Sequence, residues 1–192
     1  MTPTPSVNAA NLIAGASLHL SMLGHGTTTW NLSKVGPESQ LAPAEVIGIT
    51  SPTAGLVPPS PGGWVYQRTE RPGQGHLSVG PTQSLMIVLI DTIDGTPEAS
   101  QALRYWGDFL HIPRIASSGG QGLTMVTPFE VNGEGPRYLH LYEFDRPDVD
   151  DCMRDIRRKI GAQLNAEELD IFSQHPQRKM VYSATYTFGS TL

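Results

Sequence analysis

The chain has 192 residues, of which 39% are hydrophobic and 16% are charged, so it can form one domain with a substantial core. Its net charge of -5 argues against a nucleic-acid-binding surface, and its single cysteine excludes an intramolecular disulfide framework. No positively charged signal region precedes Lys34, and the apolar run 11–23 is too short to span a bilayer. We therefore expect a cytoplasmic protein that does not enter a membrane.

Residues 1–80 are rich in proline and glycine and contain few regular patterns. Residues 44–50 and 63–69 have strand character, and residues 51–63 between them have the composition of turns and loops. We expect residues 1–80 to be an N-terminal extension that packs on the rest of the chain and covers a cleft. The alternative is a second, degenerate copy of the domain that follows.

From residue 84 the patterns become regular. Residues 85–90 form a continuous apolar run that is typical of a central strand. The sequence Thr-Pro-Glu at 96–98 is a helix start, and apolar residues then recur at helical spacing. Because the residue before a proline disfavours helical geometry, Pro113 predicts that this helix ends near His111.

Two strands joined by a tight turn are predicted at 122–131 and 137–145, followed by a helix, a short helix and a final strand at 180–188. The basic residues at 154–159 fall in the last turns of the first of these helices, where a solvated face is expected. The order predicts an α+β fold: a ferredoxin-like four-stranded antiparallel sheet with helices on one face. Because the other face is apolar and uncovered, we expect a second copy of the chain to cover it.

Two segments carry a family resemblance. A helix exit of the form W-x-D-x-x-H-I-P occupies residues 106–113, and the strand R-Y-L-H-L-Y-E-F-D occupies residues 137–145. With these segments the region 84–188 resembles the EthD-like dimeric α/β-barrel proteins, although Gly107 stands where such proteins often carry a second aromatic residue. The resemblance implies that residues 81–192 form the barrel domain and that two subunits pair as a homodimer.

His111 is the predicted catalytic residue. A helix C-terminus favours a protonated histidine, whereas burial beside Trp106 favours the neutral form. These opposing effects predict a pKa near neutrality, which suits general acid–base catalysis. The alternative is that the ring is a structural cap on the end of the helix.

Four further residues are predicted to bind the substrate. Alternation along the strand places Tyr138, His140 and Tyr142 on one sheet face, where with Trp106 they would line a pocket for an aromatic or carbonyl-bearing molecule. No histidine pair has metal-ligand spacing and no glycine cluster forms a phosphate loop, so we expect neither a metal nor another cofactor.

The hypothesis is therefore a cofactor-independent lyase, isomerase or cyclase that acts on a small molecule by acid–base catalysis at His111. One alternative is a non-catalytic small-molecule-binding or accessory protein. The other is a haem-dependent or cofactor-free monooxygenase, since the superfamily implied by the resemblance includes such enzymes.

Overall fold

The computed structural model describes residues 17–50, 62–68 and 82–191. The strands of the first part are β1 (Ser17–Ser21), β2 (Thr28–Val35), β3 (Val46–Thr50) and β4 (Gly63–Arg68). Those of the second part are β5 (Ser84–Thr92), β6 (Leu123–Val131), β7 (Tyr138–Phe144) and β8 (Arg178–Thr191). The helices are α1 (Pro97–Trp106), α2 (Ile112–Ala116), α3 (Val149–Gly161) and α4 (Ala166–Ser173), and a π-helical turn (Gly107–His111) joins α1 to α2.

All eight strands form one closed antiparallel barrel in the order β1-β3-β2-β8-β5-β7-β6-β4. Two pairings join the first four strands to the last four: β2 lies beside β8, and β4 lies beside β6. Within each group the first strand lies between the third and the fourth, which gives β4-β1-β3-β2 and β8-β5-β7-β6. The same strand order therefore occurs twice in the chain.

The predicted fold class is wrong. We expected a ferredoxin-like four-stranded sheet with helices on one face, paired with the sheet of a second subunit. Instead the sheet closes within one chain, because β1–β4 hydrogen-bond to both edges of the group formed by β5–β8. The apolar face that was expected to need a partner is covered by the chain's own strands, so the observation that motivated a homodimer no longer holds.

The strands expected at residues 44–50 and 63–69 are present as β3 and β4. Of the apolar run 11–23, residues 17–21 form β1, while the part before residue 17 and most of the loop 51–63 lie outside the described residues. None of the helices in the described part of the chain has the length and apolarity that a bilayer crossing requires.

Strand β7 buries both of its faces. In β7, Leu139 and Leu141 point into the barrel, where they join a cluster that includes Trp30 and Tyr66 from the first group. The alternate side chains of β7 point outwards and pack with the helices in a second apolar cluster. Every residue of β7 is consequently buried, and the predicted alternation of its side chains is confirmed.

A bulge in β8 changes which side chains face the helices. Simple alternation along the strand would place Met180 and Tyr182 on one face, but the register with β5 shifts between them, with Ile90 opposite Met180 and Leu89 opposite Tyr182. The extra residue in the bulge reverses the alternation. Met180 therefore packs on the helix side and Tyr182 inside the barrel.

Gly48 allows the turn between β1 and β2 to lie directly on β3. A Cβ atom at Gly48 would be 2.3 Å from the carbonyl oxygen of His25, which is backbone and cannot rotate away. We expect Gly48→Ala to lower the free energy of unfolding by about 3 kcal/mol, measured by urea denaturation, because of this overpacking. Gly161→Ala is the control, since a Cβ there meets nothing within 4 Å. Equal effects of the two substitutions would contradict the proposed close contact.

Candidate functional site

A cavity of about 450 Å³ lies between the outer face of the barrel and the helices. Strands β5, β7 and β8 contribute one side of it, and the end of α1, the π-helical turn, α2, α3 and α4 contribute the other. Its apolar wall includes Met86, Val88, Ile90, Met153, Ile156 and Met180. The volume and the apolar lining are those of a site for a small organic molecule.

Pro113 led us to expect that the helix beginning at Pro97 would end near His111, but it does not end there. It continues through the π-helical turn into α2, and the Ile112 amide donates to the carbonyl of Gly107, one residue further back than in an α-helix. Pro113 then occupies the first turn of α2. The wide turn thus places His111 in the middle of a continuous helical segment.

His111 is held between two aromatic rings. Its ring centroid is 4.4 Å from that of Trp106 and 4.9 Å from that of Phe172, and both pairs are stacked. Its Nδ1 lies 3.0 Å from the carbonyl oxygen of Phe172. Because a carbonyl only accepts, Nδ1 carries the hydrogen, and Nε2 of the neutral ring is the basic nitrogen.

Burial lowers the pKa of His111 to about 4. The hydrogen bond to Phe172 opposes this shift, and the positive charge of Arg178 adds to it. The expectation of a pKa near neutrality is therefore wrong. That expectation relied partly on the helix that begins at Pro97 ending at His111; because this helix continues past it, its own dipole does not favour the protonated ring.

His140 lies beside His111 on the outer face of β7. The two ring centroids are 6.5 Å apart, and His140 is buried. A Cβ atom at Gly107 would be 3.6 Å from Nε2 of His140, so the backbone of the π-helical turn packs closely on this imidazole. Gly107 thus occupies the position where the resemblance implied an aromatic residue, and a larger side chain there would reach towards His140.

Four of the five predicted site residues line the same cavity: Trp106, His111, His140 and Tyr142. Tyr138 does not line it. Its hydroxyl donates to the carbonyl of Ser100 at 2.8 Å, and its ring lies in a separate groove on the other side of α1.

The cavity residues that were not predicted as site residues include Phe172, Arg157 and Arg178. Phe172 had the spacing of an ordinary apolar helix residue, and Arg157 belonged to a basic run that was interpreted as a solvated face. Arg178 precedes the alternating part of β8. The local pattern contained no signal for any of them, because their contacts with the site come from distant parts of the chain.

Other histidines do not add to this site. His19 lies in β1 and His25 in the turn that follows it, and neither lines the cavity; His76 lies outside the described residues. Among residues 17–50, 62–68 and 82–191 there is no group of three or more His, Cys, Asp or Glu side chains that could hold a metal ion.

Comparisons with known proteins give little information. No protein-family model and no curated protein matches the chain. Among solved structures, one of a major regulator of staphylococcal pathogenesis is similar over 89% of this chain and 98% of its own, with 13% identity and a TM-score of 0.43. A likeness this weak carries no argument. The comparisons neither support nor oppose the EthD-like resemblance, and they give no evidence for a lyase, an isomerase or a homodimer.

Proposed function

We propose that the protein binds a small, mainly apolar organic molecule in this cavity and that His111 removes a proton from it without a cofactor. The observation that carries the proposal is the placement of His111. It is stacked between Trp106 and Phe172, and its Nδ1 is hydrogen-bonded to a backbone carbonyl inside the cavity. The hydrogen bond to Phe172 also caps the C-terminal end of α4 (Ala166–Ser173), but that role uses Nδ1 alone and does not involve Nε2.

The geometry is suited to proton transfer. The hydrogen bond from Nδ1 to Phe172 fixes the tautomer, so that Nε2 can accept a proton from a bound molecule. The imidazolium that forms would keep the same hydrogen bond, now charge-assisted and stronger. With a pKa of about 4, depressed by burial and by Arg178, His111 is a weak base. An anionic ligand near Arg178 would offset that positive charge and raise the pKa.

The family resemblance supports the same proposal. The two segments on which it rests, residues 106–113 and 137–145, are those that contribute Trp106, His111, His140 and Tyr142 to the cavity. We further propose that the protein acts in the cytoplasm.

A second candidate function is non-catalytic binding of the same molecule. The low pKa of His111 favours it, because the ring then stays neutral at physiological pH and its Nε2 can accept a hydrogen bond from a ligand hydroxyl or N–H group. The two candidates differ in whether the bound molecule is recovered unchanged.

The proposal is tested by equilibrating the protein with a small-molecule cell extract and identifying retained compounds by native mass spectrometry. A compound at 100 times its dissociation constant should stabilise the protein by about 2.7 kcal/mol, which raises its melting temperature. Met86→Trp fills the cavity and should abolish both effects. Leu23→Trp, an exposed position in the turn after β1, is the control. Equal binding by both variants would place the ligand elsewhere.

A further inference from the structure

The cavity is positively charged in a protein whose net charge is -5. Arg157 of α3 and Arg178 of β8 line it together with the two histidines, whereas no aspartate or glutamate of the described residues does. A guanidinium group beside apolar surface favours planar anions, which it binds through two parallel hydrogen bonds. The positive charge of the lining therefore indicates that the ligand carries a negative charge.

Arg157 differs from the other arginines of α3. Arg154 pairs with Asp151 at 2.7 Å, and Arg158 pairs with Asp155 at 2.7 Å. Arg157 forms no ion pair with any carboxylate in the described part of the chain. A solvated helix face thus explains its neighbours, but the position of Arg157 at the cavity leaves its charge available to a ligand.

Arg178 lies deeper than Arg157. It is opposite Thr92 at the end of β5, and its side chain is 25% exposed. The carboxylate that approaches it is that of Glu38, at 3.5 Å and with 62% of the Glu38 side chain exposed. Such a long, exposed ion pair contributes little and is easily exchanged for a better placed anion. Burial lowers the pKa of His111 and raises that of Tyr142; the positive charge of Arg178 adds to the first shift and opposes the second, as expected for a cation beside the inner part of the cavity.

We infer that the ligand is an organic carboxylate with an aromatic or aliphatic body. Arg178 is the main partner of its carboxylate, and Arg157 adds positive charge at the mouth of the cavity. The body of the ligand lies against Trp106 and Phe172 and against the methionines of the wall, whose flexible side chains adapt to such a surface. This inference rests on the proposed binding function and specifies the chemical class of the ligand.

The test compares matched probes with and without the carboxylate: 2-naphthoate with 2-naphthalenemethanol, and decanoate with decanol. Isothermal titration calorimetry should show each carboxylate bound at least about 10-fold more tightly than its alcohol. Arg178→Met should weaken carboxylate binding by about 10- to 100-fold, as expected for a lost hydrogen bond to a charged group, and Arg157→Met should weaken it about threefold. Neither variant should change the binding of the alcohols.

Arg154→Met is the control, since this residue lies on the same helix but does not line the cavity. Circular dichroism checks that the variants fold, and Arg157→Met removes an exposed side chain, so it remains informative if Arg178→Met is unstable. Equal binding of carboxylates and alcohols would overturn the inference while leaving a binding cavity. Failure of all four probes to bind at millimolar concentration would overturn the proposed function as well.

Discussion

Replacing Glu143 with glutamine is expected to remove a contribution to stability that falls by about 3 kcal/mol as the pH rises from 4.5 to 7. Glu143 follows Leu139 and Leu141 on the inner face of β7 and is fully buried. Its Oε1 accepts a hydrogen bond from the Thr82 hydroxyl at 2.8 Å, while Oε2 has no hydrogen-bond partner among the described residues. Burial raises the pKa of this carboxyl group to about 7, against the opposing effect of Thr82.

The direction of this pH dependence follows from the number of protons bound by the folded and the unfolded protein. Between pH 4.5 and 7 the folded protein keeps the proton on Glu143, whereas the unfolded chain has lost it. The stabilising contribution is therefore complete below pH 4.5 and is lost as the pH rises through the folded-state pKa of about 7. Urea denaturation at several pH values measures it as the difference between the wild type and Glu143→Gln. A difference that does not change with pH would mean that Glu143 is ionised throughout or has no raised pKa.

His111 contributes to the pH dependence of stability in the opposite direction. Because burial lowers its pKa from 6.5 to about 4, the unfolded chain binds the extra proton between these values, and stability increases as the pH rises through this range. The shifts of His111 and Glu143 are similar in size, so they largely cancel in the wild type. Removing either group alone should expose the pH dependence of the other, and the double variant should show neither contribution.

Replacing His111 with phenylalanine is expected to reduce proton transfer to and from the bound molecule by about 10²- to 10⁴-fold. Phenylalanine keeps an aromatic ring between Trp106 and Phe172 but removes both ring nitrogens. The variant should remain folded, since the main loss is one hydrogen bond to the Phe172 carbonyl, worth about 1 kcal/mol. The measurement is the rate at which the retained molecule takes up deuterium from D₂O, followed by mass spectrometry.

His175→Phe is the matched control for this substitution. His175 also lies beside Trp106, at a centroid distance of 5.7 Å, but it does not line the cavity. The His175→Phe variant should therefore catalyse uptake of deuterium by the ligand at the wild-type rate. If His111→Phe does so too, His111 is not the proton acceptor. If it loses binding along with exchange, the histidine holds the ligand and the non-catalytic function is favoured.

Local features of the fold were predictable because their partners lie within a few residues. The Thr96 hydroxyl accepts from the Ala99 amide at 3.1 Å, as the helix-start pattern predicted. Asn165 and Glu168 form the reciprocal hydrogen bonds of a capping box. The alternation in β7 likewise follows from the pleat of the strand itself. In each case all the interacting residues lie within a few positions of one another in the sequence.

The helix exit was not predictable in the same way. Pro113 disfavours helical geometry at the preceding residue, and from that alone an end near His111 was the reasonable prediction. The structure avoids the conflict with a wide π-helical turn, which places the partly buried His111 ring between Trp106 and Phe172. Phe172 comes from a helix 61 residues further along the chain, so the packing that accompanies this turn has no local signature.

The sequence by itself determined where most strands and helices lie and which faces of β5 and β7 are apolar, because these follow from spacing and short-range hydrogen bonds. Only the tertiary structure decided that the sheet closes within one chain, since β2 pairs with β8 across more than a hundred intervening residues. It also decided the chemistry of the site. The low pKa of His111 and the role inferred for Arg178 depend on burial and on charges from distant segments, and a pattern of neighbouring residues does not contain that information.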